Sequence, residues 1–84
     1  MDDDRRIAST IDTLLATRAA STSICPSEVA RALADEEAAW RALMPAVRRV
    51  AAAMAAAGRL RVTRGDVEVD AMSEGGPIRL RRPR

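Results

Sequence analysis

The segment from Trp40 to Gly58 constrains the fold most, because it is the longest stretch with a clean helical period. Its apolar residues recur at intervals of four, three, four and three and therefore share one helix face: Trp40, Met44, Val47, Ala51 and Met54. The chain has 84 residues, enough for one domain with one core. The remaining elements must therefore pack against this segment.

Pro45 interrupts the helical face of this segment. Proline costs about 3 kcal/mol in a helix interior and little in a first turn. We therefore predict a short helix from Asp35 to about Leu43 and a main helix from about Met44 to Ala57, with one kinked helix over residues 35–57 as the alternative. Gly58 is predicted to end the main helix in the left-handed conformation.

Two shorter helices are predicted upstream. The first covers residues 5–18 and has one buried stripe, Ile7, Ile11, Leu14 and Leu15. After a loop and a short extended segment at Ser23-Ile24, Pro26 suits the first position of a second helix, which ends near Ala34. Glu28 stands where the acid of a capping box reaches back to the residue before the helix.

After Gly58 the apolar residues alternate, as they do in strands. A hairpin with Arg64-Gly65 as its turn would bury one row of residues and pair opposite charges on the solvent side. The predicted pairs are Val62 with Val67, Leu60 with Val69, Arg61 with Glu68 and Arg59 with Asp70. A third alternating segment spans residues 78–80.

This order of elements predicts an α+β winged helix-turn-helix: three to four helices, a β-hairpin wing and a short C-terminal strand. The second and third helices form the helix-turn-helix, and the hairpin forms the wing. We assign one winged-helix domain to residues 5–81, with residues 1–4 and 82–84 as flexible ends. Asp2, Asp3 and Asp4 favour a solvated helix start over a cation site.

Several short motifs support the same fold: Pro26-Ser27-Glu28-Val29-Ala30-Arg31, Trp40, Met44-Pro45, Val47-Arg48, Ala57-Gly58 and Gly76-Pro77-Ile78-Arg79-Leu80. Together they resemble a family of small bacterial proteins of unknown function with a predicted winged-helix fold. The resemblance covers roughly residues 7–80. It implies the fold, and it transfers no catalytic or binding residue because the family has no established activity.

The composition argues against catalysis. The chain has no His and one Cys, which removes most general bases, catalytic triads and metal sites, and we expect no enzyme activity, metal or cofactor. Cys25 precedes a helix and is a redox candidate, with a small half-buried structural residue as the alternative. The acidic start and the lack of a long apolar run predict a cytoplasmic protein without a membrane partner.

Charge is divided unevenly between the two parts of the chain. Residues 1–40 carry four Arg against eight acids, and residues 41–84 carry ten Arg against four acids. We predict duplex DNA as the partner of a small regulator, contacted through Arg41, Arg48, Arg49, Arg64 and Arg79. The alternative is a protein-interaction or homodimerisation module, because the outer face of the main helix is mostly Ala52, Ala53, Ala55 and Ala56.

Overall fold

A computed structural model describes residues 2–83 of the chain. Three helices precede a three-stranded antiparallel sheet: α1 (Asp2–Ala16), α2 (Pro26–Leu33), α3 (Glu37–Ala56), β1 (Arg61–Arg64), β2 (Val67–Glu68) and β3 (Arg79–Arg81). The protein is therefore α+β, in a layout compatible with that of a winged helix. In the described part of the chain, no helix is long and apolar enough to cross a membrane.

α1 begins and ends earlier than its sequence predicts. It starts at Asp2 rather than at residue 5, and it stops at Ala16 rather than at residue 18. The Arg82 guanidinium, near the C-terminus, donates hydrogen bonds to the carbonyl oxygens of Leu15 in the last turn of α1 (2.6 Å) and of Arg18 just after it (2.8 Å). Met1 and Arg84 lie outside the described residues.

α3 is one continuous helix across Pro45, so the predicted division near Met44 is wrong and the single-helix alternative is correct. Pro45 lacks the N–H that would bond the carbonyl of Arg41. Both residues are exposed, so this carbonyl lies on the side of the helix that water can reach. The opposite face of α3 is buried through Val47, Val50, Ala51 and Met54. The free energy gained from this burial offsets the cost of the missing hydrogen bond.

The end of α3 follows the prediction. Gly58 has φ +76°, its N–H bonds the Ala55 carbonyl, and the Arg59 N–H bonds the Met54 carbonyl. These two bonds are those of a Schellman motif, which satisfies carbonyls that the helix leaves free. The chain consequently turns back toward the sheet at Gly58.

The hairpin forms in a register different from the predicted one. Thr63 is opposite Glu68 and Arg64 is opposite Val67, so the two turn residues are Gly65 and Asp66. Gly65 takes φ +63° at the first turn position, where a type II′ turn requires glycine. The shift leaves Val67 65% exposed instead of buried.

The two arginines predicted to form charge pairs in that hairpin bond other parts of the chain. The guanidinium of Arg61 donates instead to the carbonyl of Arg82 (3.0 Å), and Arg59 pairs with Asp12 of α1 (3.2 Å). In the observed register these two arginines therefore join the hairpin to the C-terminal residues and to α1.

β1 is the central strand, with β2 on one side and β3 on the other. Beyond β3, Ile24 forms an antiparallel bridge to Leu80 through two backbone hydrogen bonds of 2.9 and 2.7 Å. The short extended segment predicted at Ile24 is thus confirmed. It ties the loop between α1 and α2 to the last strand.

The core lies where the three helices meet the sheet. Its largest fully buried side chains are Ile7, Ile11, Ile24, Val29, Val47, Ile78 and Leu80. Trp40 is half-buried at the edge of this core, with the guanidinium carbons of Arg31 and Arg41 at 4.6 and 5.5 Å from its ring centroid. Trp40 is therefore the outermost residue of the helix face that was predicted to be buried, and it is only partly covered.

Candidate functional site

The three α3 arginines predicted to contact DNA all have intramolecular partners. Arg41 pairs with Glu37 one turn earlier (2.6 Å), and Arg49 pairs with Asp4 of α1 (2.9 Å). The Arg48 guanidinium donates to the Ala71 carbonyl at 3.3 Å. Arg41 and Arg49 are exposed and Arg48 is half-buried. The first two lie on the surface in pairs of little energetic weight, whereas Arg48 joins α3 to the loop after β2.

The other two predicted DNA contacts hold the fold together. The Arg64 guanidinium folds under the loop after β2 and donates to Ser73 Oγ (3.4 Å), the Ser73 carbonyl (3.2 Å) and the Gly76 carbonyl (3.2 Å). Arg79 donates to Ser23 Oγ (2.7 Å) and to the Ser23 carbonyl (3.0 Å). Both side chains fasten loops to strands.

All four carboxylates of the second half of the chain fall in one stretch, residues 65–78, which we call the acidic segment. It contains Asp66, Glu68, Asp70 and Glu74 and no Arg, while the ten arginines of residues 41–84 lie outside it. Three more acids, Asp35, Glu36 and Glu37, are exposed at the start of α3. Carboxylates are therefore concentrated at the start of α3 and in the acidic segment, and the guanidinium groups of Arg48 and Arg64 bond carbonyl groups of that segment.

An apolar groove separates α3 from the acidic segment. We call it the α3 groove; its volume is about 290 Å³, and its lining is Ala52, Ala55, Ala56, Val69, Asp70 and Ala71. Val67 shares a strand face with Val69 because side chains alternate along a strand. With Met72, which is 55% exposed, Val67 is one of two large apolar side chains exposed in the described part of the chain. This arrangement gives one apolar face with an acidic border.

A second groove, the α1 groove, runs between α1 and α3. It is lined by Asp4, Ala8, Arg49, Val50, Ala53, Met54, Ala57 and Arg59. The ion pairs Arg49–Asp4 and Arg59–Asp12 join α3 and the turn that follows it to α1. Charges around this groove are therefore balanced, in contrast to the acidic segment.

Cys25 lies at the start of α2 in a hydrogen-bonded cluster. Its backbone N–H donates to Glu28 Oε1 at 3.0 Å, the reach-back bond of the predicted capping box, and its Sγ lies 2.9 Å from Ser27 Oγ. The thiol is half-buried. Among residues 2–83, no three His, Cys, Asp or Glu side chains cluster as metal ligands would. These contacts describe a helix start, and a redox role for Cys25 stays a prediction.

The carboxylate of Glu28 joins three parts of the chain. The Cys25 N–H lowers the pKa of Glu28, and Arg18, at 2.8 Å, and the charge of Arg79 lower it further against the opposing effect of partial burial. A carboxyl group with a lowered pKa stabilises the folded state above the pKa of the unfolded chain. That stability is lost as the pH falls through the lower pKa of the folded state.

We expect Glu28→Gln to lower the free energy of unfolding by about 1 kcal/mol near neutral pH, because it removes charge-assisted hydrogen bonds. The difference from wild type should shrink as the pH falls below about 4.3, the ordinary glutamate pKa. Urea denaturation across a pH series measures it. Glu37→Gln, which removes an exposed ion pair with Arg41, is the control and should differ little from wild type. A Glu28→Gln difference that stays constant with pH would contradict the assignment.

The sequence prediction missed the exposed apolar side chain of Val67 because it placed that residue in the core. The acidic segment was visible in the sequence, since all its charges are negative, but division of the chain at residue 40 merged it with the flanking arginines. The exposure of Met72 could not be predicted from the sequence, because the loop that contains it has no periodic pattern of apolar residues.

Comparison with known proteins adds a family and no activity. No curated protein matches the chain. The family model described as "Protein of unknown function (DUF3253)" matches residues 4–83, which is nearly the whole chain. The motifs from Pro26 to Leu80 lie within this match. The protein therefore belongs to the DUF3253 family of proteins of unknown function.

Proposed function

We propose that this protein is a winged-helix domain that acts without catalysis and binds another protein through the α3 groove and the exposed side chains of Val67 and Met72. In this assignment α2 and α3 form the helix-turn-helix. β1 and β3 form the stem of the wing, and the acidic segment between them is the wing itself. The bridge between Ile24 and Leu80 supplies the short strand that precedes α2.

The distribution of charge is the observation that carries this proposal. A DNA-binding helix-turn-helix places its recognition helix in the major groove, with its N-terminal residues at the bases. Here that end of α3 carries Asp35, Glu36 and Glu37, and residues 65–78 of the wing contain four carboxylates and no arginine of their own. Close approach of phosphates to carboxylates costs Coulomb energy, and bonds within the protein hold the guanidinium groups of Arg48 and Arg64 against this part of the wing.

The apolar content of the same face supports a protein partner. Val67 and Met72 are exposed beside a groove whose α3 wall is alanine. Interface cores are depleted of charged residues and enriched in Met, the residue exposed at position 72. Burial of these two side chains in a complex would remove apolar surface from water, which favours association.

Duplex DNA is the second candidate, as the target of a small regulator. The observation in its favour is that Arg41 and Arg49 are exposed on α3. Their ion pairs with Glu37 and Asp4 contribute at most about 1 kcal/mol each, so phosphates could replace the carboxylates. Arg48, Arg64 and Arg79 would have to give up bonds within the fold to take part.

Photo-cross-linking in cells of the source organism tests the protein-binding proposal. A photoreactive amino acid at position 72 is expected to give discrete protein adducts, because Met72 borders the proposed interface. The same residue at position 13 is the control, since Thr13 is exposed on α1, outside the lining of both grooves. Adducts of equal yield at both positions, or none at position 72, would contradict the proposal.

A further inference from the structure

We propose that Arg61 and Arg81 form a binding site for a phosphate monoester on the outer face of the sheet, which is the face turned away from the core. The site lies apart from the proposed protein-binding face, because neither residue lines the α3 groove or the α1 groove. Three observations carry the inference: the two arginines are paired across the sheet, no described carboxylate forms an ion pair with them, and their side chains are already held in place.

The pairing of β1 with β3 places two positive charges side by side. Val62 is opposite Leu80, and both are buried in the core, so the residues before and after them point to the outer face. One of these outer pairs is Arg61 opposite Arg81. Directly opposite side chains have Cβ atoms about 4.5 to 5.5 Å apart, and like charges at such positions destabilise a sheet. An anion between the two guanidinium groups would remove this repulsion.

No ion pair relieves the repulsion within the described part of the chain, where the salt bridges involve other arginines. The carboxylate of Asp70 accepts a hydrogen bond from the Met72 N–H in its own loop (2.8 Å). Glu68 lies in β2, on the far side of β1 from β3. The charges of Arg61 and Arg81 therefore face each other without a carboxylate between them.

Arg79 adds a third positive charge to the outer face. It is opposite Thr63 and two residues before Arg81, so it points to the same side of the sheet. With Glu68 as the acid that β2 contributes to this face, three arginines against one glutamate give the strands a net charge of three minus one, or +2. The charge of Arg79 also acts on the carboxylate of Glu28, so we assign Arg79 to the border of the site.

Both guanidinium groups are held through Nε, which leaves their terminal nitrogens for a ligand. Arg61 Nε donates to the Arg82 carbonyl and Arg81 Nε donates to Thr63 Oγ1, each at 3.0 Å. Thr63 is only 3% exposed, so the second of these acceptors is fixed within the sheet. Among the described residues, Arg64 Nε is the one buried side-chain nitrogen without a partner, so the unbonded terminal nitrogens of Arg61 and Arg81 are open to solvent. Side chains ordered in advance lose less entropy when a ligand binds.

A phosphate monoester fits this pair better than a carboxylate or a phosphodiester does. It carries close to two negative charges near neutral pH and has three free oxygens, so it can accept hydrogen bonds from both guanidinium groups at once. A carboxylate has one charge and two oxygens, which satisfy one planar fork of donors. The phosphodiester of nucleic acids also carries one charge per phosphate. The facing arginines therefore favour the monoester.

An NMR titration of the wild type with three matched anions tests the site. The anions are phenyl phosphate, benzoate and methyl phenyl phosphate, at constant ionic strength and about pH 7.5, where the monoester is mostly dianionic. We expect phenyl phosphate to shift the Nε–H signals of Arg61 and Arg81 along one saturable curve. Its affinity should exceed that of the other two anions by at least about tenfold, because each of them lacks one charge and the charge-assisted hydrogen bonds that go with it.

Substitutions of single arginines locate the site. Arg61→Gln and Arg81→Gln each remove one guanidinium and should weaken binding of phenyl phosphate by at least about tenfold. Arg81→Lys keeps the charge without the planar fork and should recover only part of the affinity. Arg59→Gln is the matched control and should bind like the wild type, since Arg59 precedes β1 and pairs with Asp12 of α1. Urea denaturation identifies the variants that fold, and the wild-type titration decides the question for any that does not.

Three results would overturn the inference. Signals of Arg61 and Arg81 that do not saturate show that no site exists, and equal affinity for the three anions refutes the choice of a monoester. An equal loss of affinity in Arg59→Gln and Arg81→Gln shows general attraction to a positive protein rather than a site. A phosphoserine peptide distinguishes the sources of the ligand: tighter binding than phenyl phosphate assigns the monoester to a modified protein, and equal or weaker binding assigns it to a small molecule.

Discussion

The Arg64→Ala variant is expected to lose about 2 kcal/mol of unfolding free energy, a large effect for a residue predicted from sequence to contact DNA. Its guanidinium bonds Ser73 and Gly76 across the base of the acidic segment. Removal leaves the half-buried carbonyl of Ser73 and the exposed carbonyl of Gly76 without their charged donor, and a hydrogen bond to a charged group contributes about 1.5 to 3 kcal/mol. Urea denaturation followed by circular dichroism measures the loss.

Two matched variants define the origin of that loss. Arg64→Lys keeps the charge but not the planar fork of donors, so it should recover only part of the stability. Arg59→Ala removes an arginine from an exposed ion pair with Asp12 and should change stability by less than about 0.5 kcal/mol. If the two Ala variants have the same free energy of unfolding, the bonds of the Arg64 guanidinium do not stabilise the fold. The Arg64 side chain is then free to serve as the predicted DNA contact.

Features set by neighbouring residues could be predicted from the sequence. The start of α2 at Pro26, the bond from Cys25 to Glu28 and the left-handed Gly58 each depend on a few adjacent positions. The same holds for the extended residue Ile24, although its partner Leu80 could not be known. Local rules of helix capping and backbone sterics suffice for these features.

Features set by distant residues could not be predicted in the same way. The apolar and charge patterns of residues 59–70 agreed on one hairpin register, yet Gly65 at the first turn position fixed another. The arginines that lost their predicted partners bonded groups far along the chain, as Arg59 does with Asp12 and Arg61 with the Arg82 carbonyl. Continuity of α3 through Pro45 likewise depends on tertiary burial of its inner face.

The candidate site shows the same division. Alanine on the outer face of α3 was evident from sequence and already favoured a protein partner as the alternative to DNA. The position of each arginine in the chain was evident too, but its intramolecular bonds were not. Of the α3 arginines predicted to contact DNA, only Arg41 and Arg49 are exposed, and both form surface ion pairs. The apolar face of Val67 and Met72 emerged from the hairpin register and the course of the loop after β2.

Replacing both Asp66 and Glu74 with Lys is expected to create DNA affinity that the wild type lacks. The change adds four units of positive charge to the wing, by the arithmetic of two acids replaced by two bases. Binding of duplex DNA depends on the number of phosphates that cations neutralise, so we expect a gain of at least about tenfold at low salt. The gain should disappear as salt rises, because it comes from released counterions.

Fluorescence anisotropy of labelled duplex DNA with the wild type, the Asp66→Lys/Glu74→Lys variant and an Arg41→Ala/Arg49→Ala variant tests the central claim most directly. The claim is that acidic charge keeps nucleic acid away from this face and leaves it to a protein. It predicts no wild-type binding at low salt, salt-sensitive binding by the Lys variant, and no change on loss of Arg41 and Arg49. Salt-sensitive wild-type binding that the loss of Arg41 and Arg49 abolishes would contradict it.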